Sequence, residues 1–153
     1  MSFKLTYATM FNPPEDMHTR FEAALADVGA GLGATHAFHI DGEDVAAARV
    51  EPRVSPIDRR HLLGQFPVAS EDEARRALAA AHGAFPAWRA LPAAERVRLS
   101  RRAAQLIEER VYHIAAALTL EVGKNRMEAL GEVQETADFF AIYADDYERQ
   151  NHF

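Results

Sequence analysis

The sequence predicts a mainly α fold with a few short β-strands. Three observations predict it. From Ser70 onward, apolar residues recur at helical spacing through most of the chain. Between 37 and 68 the apolar runs are short and are cut by Asp-Gly, Ser-Pro and Pro. The composition, 48% hydrophobic and 26% charged over 153 residues, is that of a globular chain and suits one core of ordinary size.

The elements follow in order. The residues 1–13 form an N-terminal arm that ends in the breaker Asn12-Pro13-Pro14. Met17, Phe21, Leu25 and Val28 then place a helix over about 14–28, closed by Gly29, Gly31 and Gly33. Ala37 to Ile40 followed by Asp41-Gly42 marks a short strand and turn. A second extended stretch covers about 47–54, and Pro52 limits it to an edge or irregular strand. Ser55 to Asp58 reads as a turn and Leu62 to Val68 as another strand, so the strands fall within 37–68.

Ser70 and Glu73 form a capping box, in which hydroxyl and carboxylate each accept a backbone N–H at the start of a helix over 70–90. Ala74, Ala77, Leu78, Ala81, Phe85 and Trp88 share one face of it. Pro86 should weaken or end this helix near its last turn. Pro92 suits the first position of the next helical stretch, one helix or a pair over 92–122, whose stripe is Ile107, Val111, Ile114, Ala115, Leu118 and Val122. The last helix, 126–149, is apolar on two faces: Val133, Ala137, Phe140 and Ala144 on one, Phe139, Ile142 and Tyr143 on the other. Such a helix needs neighbours on both sides.

Composition excludes several functions. The net charge of −6 argues against nucleic acid as a partner, because phosphates demand a basic face. With no cysteine there is neither disulfide nor thiol chemistry within the chain. The start of the chain lacks the pattern of a signal peptide, and no apolar run is long enough to span a membrane. The seven histidines, at 18, 36, 39, 61, 82, 113 and 152, show no metal-ligand spacing.

Two glycine motifs resemble phosphate cradles and fail on context. Leu120 to Asn125 reads LEVGKN, but the phosphate loop requires glycine at 118, where Leu stands, and Ser or Thr at 125, where Asn stands. Gly123 instead suits the position just past a helix end, and Asn125 the N-cap of the next helix, with Glu128 at its third position. Lys124 is placed to meet the last carbonyls of the preceding helix. Gly29 to Ala34, GAGLGA, satisfies the dinucleotide pattern literally, but it follows a helix and precedes a strand, the reverse of the required order. Glu128, Glu132 and Glu135 form an acidic stripe that Phe139 and Ile142 continue as apolar residues. Glu135 therefore stands where a polar face meets an apolar one, a position from which a carboxylate can receive an ammonium.

The run from Ala80 to Ala144 resembles the N-terminal region of the aldehyde dehydrogenase superfamily. Phe85, Trp88, Pro92, Glu95-Arg96, Ala103, Leu106-Ile107, Glu108, Glu121, Gly123-Lys124, Glu132 and Tyr143-Ala144 stand where that pattern puts them. Ser55 to Asp58 and Leu63-Gly64 resemble the strand segment that opens it. The helix before His39 to Gly42, and EVGKN followed by Glu135 and Asp138-Phe139, resemble the L-glutamate γ-semialdehyde (1-pyrroline-5-carboxylate) dehydrogenase branch.

The resemblance implies NAD(P)-dependent oxidation of an aldehyde to an acid in the cytoplasm. In that family a cysteine thiolate attacks the aldehyde, and a glutamate-activated water hydrolyses the thioester formed later. It also implies that Glu135 lines the aldehyde entrance and contacts the amino group of the substrate, with Phe139 one turn on. These two are the expected substrate-binding residues. No catalytic, cofactor-binding or metal-binding residue is expected here, and NAD or NADP is expected to bind a complete enzyme, not this chain alone. The expected partners are the remainder of the enzyme or sister subunits, with no nucleic acid and no membrane. The alternative is a stand-alone helical binding or oligomerisation module, which a native stop codon after Phe153 would favour.

Overall fold

The computed structural model describes residues 13–151, so the expected arm at 1–13 lies outside them but for Pro13. Helix accounts for 64% of the described residues, and the strands are short, in keeping with the mainly α expectation. The length suits a single core, yet the contacts divide the chain into two compact units. Among the described residues one comprises 13–31 and 92–151, the other Leu32–Leu91.

Among the described residues the first unit is four helices: α1 (Glu15–Ala30), α3 (Ala93–Glu109), α4 (Val111–Val122) and α5 (Arg126–Arg149). Its core joins Met17, Phe21 and Ala24 of α1 to Tyr112, Ala115 and Ala116 of α4 and Ala129, Leu130 and Val133 of α5. The four alanines let the backbones approach closely enough for Phe21 and Met17 to be fully enclosed. Of the three glycines after α1, Gly29 lies inside the helix and Gly31 caps it in right-handed geometry. The left-handed residue is Gly33, at φ 85°.

Pro92 is the N-cap of α3, one position earlier than its missing N–H suggests, and its carbonyl accepts from Glu95 and Arg96 at 3.0 and 3.3 Å. The stretch 92–122, which the sequence leaves open as one helix or a pair, is a pair. Arg110 leaves helical geometry at φ −112°, ψ 14°, and closes α3 while opening α4. The break lets two stripes face different neighbours: α3 buries Val97 and Ala104, while α4 carries Tyr112, Ala115 and Ala116 into the core shared with α1.

At the next joint α4 stops at Gly123, which is left-handed at φ 79°, ψ 18°, and donates its N–H to the Thr119 carbonyl at 2.9 Å. The Asn125 side chain then accepts from the N–H groups of Met127 and Glu128, both at 3.0 Å, and opens α5. Lys124 does not reach back to α4 carbonyls. It pairs with Glu132, two turns into α5, because a full carboxylate attracts an ammonium more strongly than a shared helix-end dipole.

The second unit holds two antiparallel hairpins and α2 (Glu71–Ala90). β1 (Phe38–Ile40) and β2 (Glu43–Val45) are joined by Asp41 and Gly42, with φ 56° and 80°. Two successive positive φ values define the turn whose twist matches a hairpin. The strand β2 was not anticipated, since Glu43-Asp44-Val45 carries one apolar residue. β3 (Val50–Val54) pairs with β4 (Leu62–Pro67), with an irregularity between Arg53 and Val54. The other edge of β4 is taken by the segment around Thr35, so β3 with its Pro52 is an outer strand. In the turn between them, Arg60 binds the Asp58 carboxylate and holds its pKa down at about 2.

Gly64 is required by space. A Cβ there would lie 2.9 Å from both the Ala34 carbonyl oxygen and His36 Nε2, and the His36 ring is itself stacked on Phe66 at 4.6 Å. The Ser70–Glu73 box forms at the start of α2, through Ser70 N–H to Glu73 Oε2 at 2.7 Å and Glu73 N–H to Ser70 Oγ at 3.4 Å. Pro86 does not end the helix, which runs to Ala90. The missing N–H costs one bond near the end of an exposed helix, where water serves the freed carbonyl. No residue of α2 is buried, and Leu78, Phe85 and Trp88 stand in the open.

Two substitutions test this description. Asn125→Ala removes the acceptor for two N–H groups and should lower stability by about 1 kcal/mol, read from urea unfolding. Gly64→Ala should cost about 1–3 kcal/mol by overpacking against a backbone carbonyl that has nowhere to go. A neutral result for Gly64→Ala would show that the Ala34–Gly64 approach is looser than described.

Candidate functional site

The site grows from the two apolar faces of α5. One face is covered, with Val133, Ala137 and Ala144 buried. The other is bare: Phe139, Ile142 and Tyr143 are 46%, 57% and 66% exposed. Phe140, expected on the covered face, also stays partly open, because it reaches the border between the two.

Helix α3 holds α5 from the covered side. Arg101 binds Asp145 and Glu148 at 2.6 and 2.5 Å, and Arg96 donates to the Tyr147 hydroxyl at 2.8 Å. The buried Gln134 amide donates to Glu108 at 3.3 Å and Asp138 at 3.0 Å. These contacts fix the rotation of α5 about its axis, so the outward direction of the residues next to Gln134 is set.

Where α3 and α5 meet, Ser100, Thr136, Phe139, Phe140 and Tyr143 line an open groove of about 420 Å³. Phe139 and Tyr143 stack, with centroids 5.8 Å apart and planes at 15°. The Ser100 hydroxyl donates to the Phe140 carbonyl at 3.4 Å and the Thr136 hydroxyl to the Glu132 carbonyl at 2.9 Å. Both donors are thus turned onto backbone, and the groove presents mainly carbon.

Of the two expected site residues, Phe139 is in the groove wall. Glu135 is exposed on the same helix one turn earlier and does not line the groove. Glu132 of the acidic stripe is held by Lys124. None of the hydrogen bonds or ion pairs among the described residues engages Glu135, so its carboxylate is available to a ligand. Tyr143 was placed on the same apolar face as Phe139 but not singled out for the site, although its spacing of four from Phe139 is the signal that marks it. Ser100 was not, because it comes from another helix and no local pattern marks it.

Among the described residues no group of three or more His, Cys, Asp or Glu side chains is placed to hold a metal ion. The Gly29–Ala34 run closes α1, and LEVGKN is the α4–α5 joint, so neither offers the open helix N-terminus that a pyrophosphate needs. No helix among these residues is long and apolar enough to cross a membrane.

Comparison with known proteins places this geometry. The model described as the aldehyde dehydrogenase family matches residues 44–152. The chain is 34% identical over 124 residues to 1-pyrroline-5-carboxylate dehydrogenase 2 of Bacillus subtilis, covering 81% of this chain and 24% of that one. It is 33% identical over 114 residues to the bifunctional protein PutA of Escherichia coli, covering 72% of this chain and 9% of that one. The solved structure of 1-pyrroline-5-carboxylate dehydrogenase from Thermus with bound NAD superposes with a TM-score of 0.85 at 33% identity, over 90% of this chain and 27% of that one. The chain thus spans about a quarter or less of the length of these relatives. With the family pattern running through the second hairpin and all of α2 to α5, the chain belongs to the aldehyde dehydrogenase family.

Proposed function

We propose that this chain is the N-terminal segment of an NAD(P)-dependent aldehyde dehydrogenase that oxidises L-glutamate γ-semialdehyde to the acid, and that alone it is inactive. The observation that carries the substrate is the pairing on α5: a carboxylate with no partner among the described residues, Glu135, one turn from the apolar groove wall formed by Phe139 and Tyr143. An amino-bearing aldehyde has complementary parts, an ammonium for the carboxylate and a short carbon chain for the aromatic wall. The similarity to 1-pyrroline-5-carboxylate dehydrogenases supports the same substrate class.

In this reading the chain supplies binding and orientation. Glu135 receives the ammonium by a charge-assisted hydrogen bond, and Phe139 and Tyr143 exclude water from the carbon chain. The nucleophile belongs to the remainder of the enzyme, since this chain has no cysteine. So does the nicotinamide cofactor, which supplies hydride acceptance when bound. The bare faces of α2 and α5 are where that remainder or a sister subunit packs.

The experiment has two arms. The purified 153-residue chain with NAD and glutamate semialdehyde should give no sustained NADH, and sustained formation would sink the reading. In the complete enzyme, Glu135→Gln removes a contact worth about 1.5–3 kcal/mol, which lowers kcat/KM for the amino-bearing aldehyde roughly 10- to 150-fold. An aldehyde of equal length without the amino group should be oxidised as before. Equal losses for both aldehydes would remove the ammonium from the role of Glu135.

A further inference from the structure

Arg126 is oddly placed. It is the first residue of α5, where the helix dipole is positive and an acidic residue would be favoured. Its guanidinium is enclosed by one turn and the next of α1: Nη1 meets His18 Nδ1 at 2.8 Å, Nη2 pairs with Glu22, and the guanidinium carbon lies 4.7 Å over the Phe21 ring. Three residues of α1 thus hold one side chain more than 100 positions away in sequence. The side chain is only 28% exposed. The helix that holds it, α1, lies before the 44–152 span that the family model matches.

The two ends of α5 are therefore secured by different partners. Its last two turns are bound to α3 through Arg101 and Arg96. Its first half is held by Ala129, Leu130 and Val133, buried in the core with α1 and α4, and its first turn is clamped to α1 through Arg126. Glu135 stands between, nine residues from Arg126, or about 13–14 Å along the helix. The Gln134 contacts to α3 set the rotation of α5 about its axis, whereas loosening the clamp at its first turn lets the start of α5 shift against α1. We propose that Arg126 is a positioning residue, which latches the start of α5 to α1 and so tightens the placement of Glu135 that the α3 contacts set. As far as substrate is concerned, this rests on Glu135 being the ammonium contact.

The test is hydrogen exchange on the 153-residue chain and kinetics on the complete enzyme. In Arg126→Met and in Glu22→Gln, amides of α1 and of α5 through Glu135 should exchange faster, by up to about fivefold, the effect of losing one partly exposed ion pair. Amides of β3 and β4 in the other unit serve as the internal reference. The charge exchange Glu22→Arg with Arg126→Glu should restore protection, which a variant that merely misfolds would not do. In the complete enzyme Arg126→Met should raise KM for the amino-bearing aldehyde about fivefold with kcat unchanged. Unchanged exchange around Glu135, or absence of rescue by the charge exchange, overturns the latch. Glu135→Gln separates the two claims. If it leaves KM unaltered, the substrate reading fails, and the latch is decided by the exchange data.

Discussion

Gly123 adopts a left-handed conformation that costs a residue with a Cβ roughly 1–2 kcal/mol. Two residues later the Asn125 side chain satisfies two N–H groups at the start of α5. Between them they end one helix and start another with a single residue, Lys124, in the linker. The direction of α5 follows from this joint. Everything assigned to the site hangs on that direction: which face meets α3, which face is bare, and where Glu135 and Phe139 lie. The same glycine and lysine that suggest a phosphate loop are spent on backbone geometry and on the Lys124–Glu132 pair.

The division of α5 into a covered and a bare face ties the fold to the family. Helices α1, α3 and α4 bury one side of it, and no described residue of their unit covers Phe139, Ile142 and Tyr143. Helix α2 goes further and buries nothing. Contiguous exposed apolar surface of this kind marks places where more protein packs. The chain spans about a quarter of the length of these relatives, and the proposed packing of a longer enzyme on these faces accounts for that surface. The groove beside Phe139 differs from the rest of this surface. Its Ser100 and Thr136 hydroxyls are turned onto backbone, and Glu135, which makes no hydrogen bond or ion pair among the described residues, stands one turn away.

Local features of the fold were legible in the sequence, and features that depend on distant contacts were not. Ser70 with Glu73 and Gly123 with Asn125 could be placed because capping acts within four residues. Glu135 could be singled out because helical spacing puts it at the border of two faces. The break at Arg110 had no local signature, since it answers to the different neighbours of α3 and α4. The partner of Lys124 was misjudged because a carboxylate two turns ahead competes with nearer carbonyls. The crowding at Gly64 depends on Ala34 and His36, which reach it across a strand edge. Ser100 in the groove and the α1 cage around Arg126 join residues separated by scores of positions, beyond what periodicity can register.

The most direct measurement is a crystal structure of the complete enzyme with a bound, unreactive analogue of the amino-bearing aldehyde. The ammonium should lie about 2.7–2.9 Å from a Glu135 carboxylate oxygen, with the carbon chain against Phe139. An ammonium held by another residue, with Glu135 facing water or a subunit contact, would contradict the assignment.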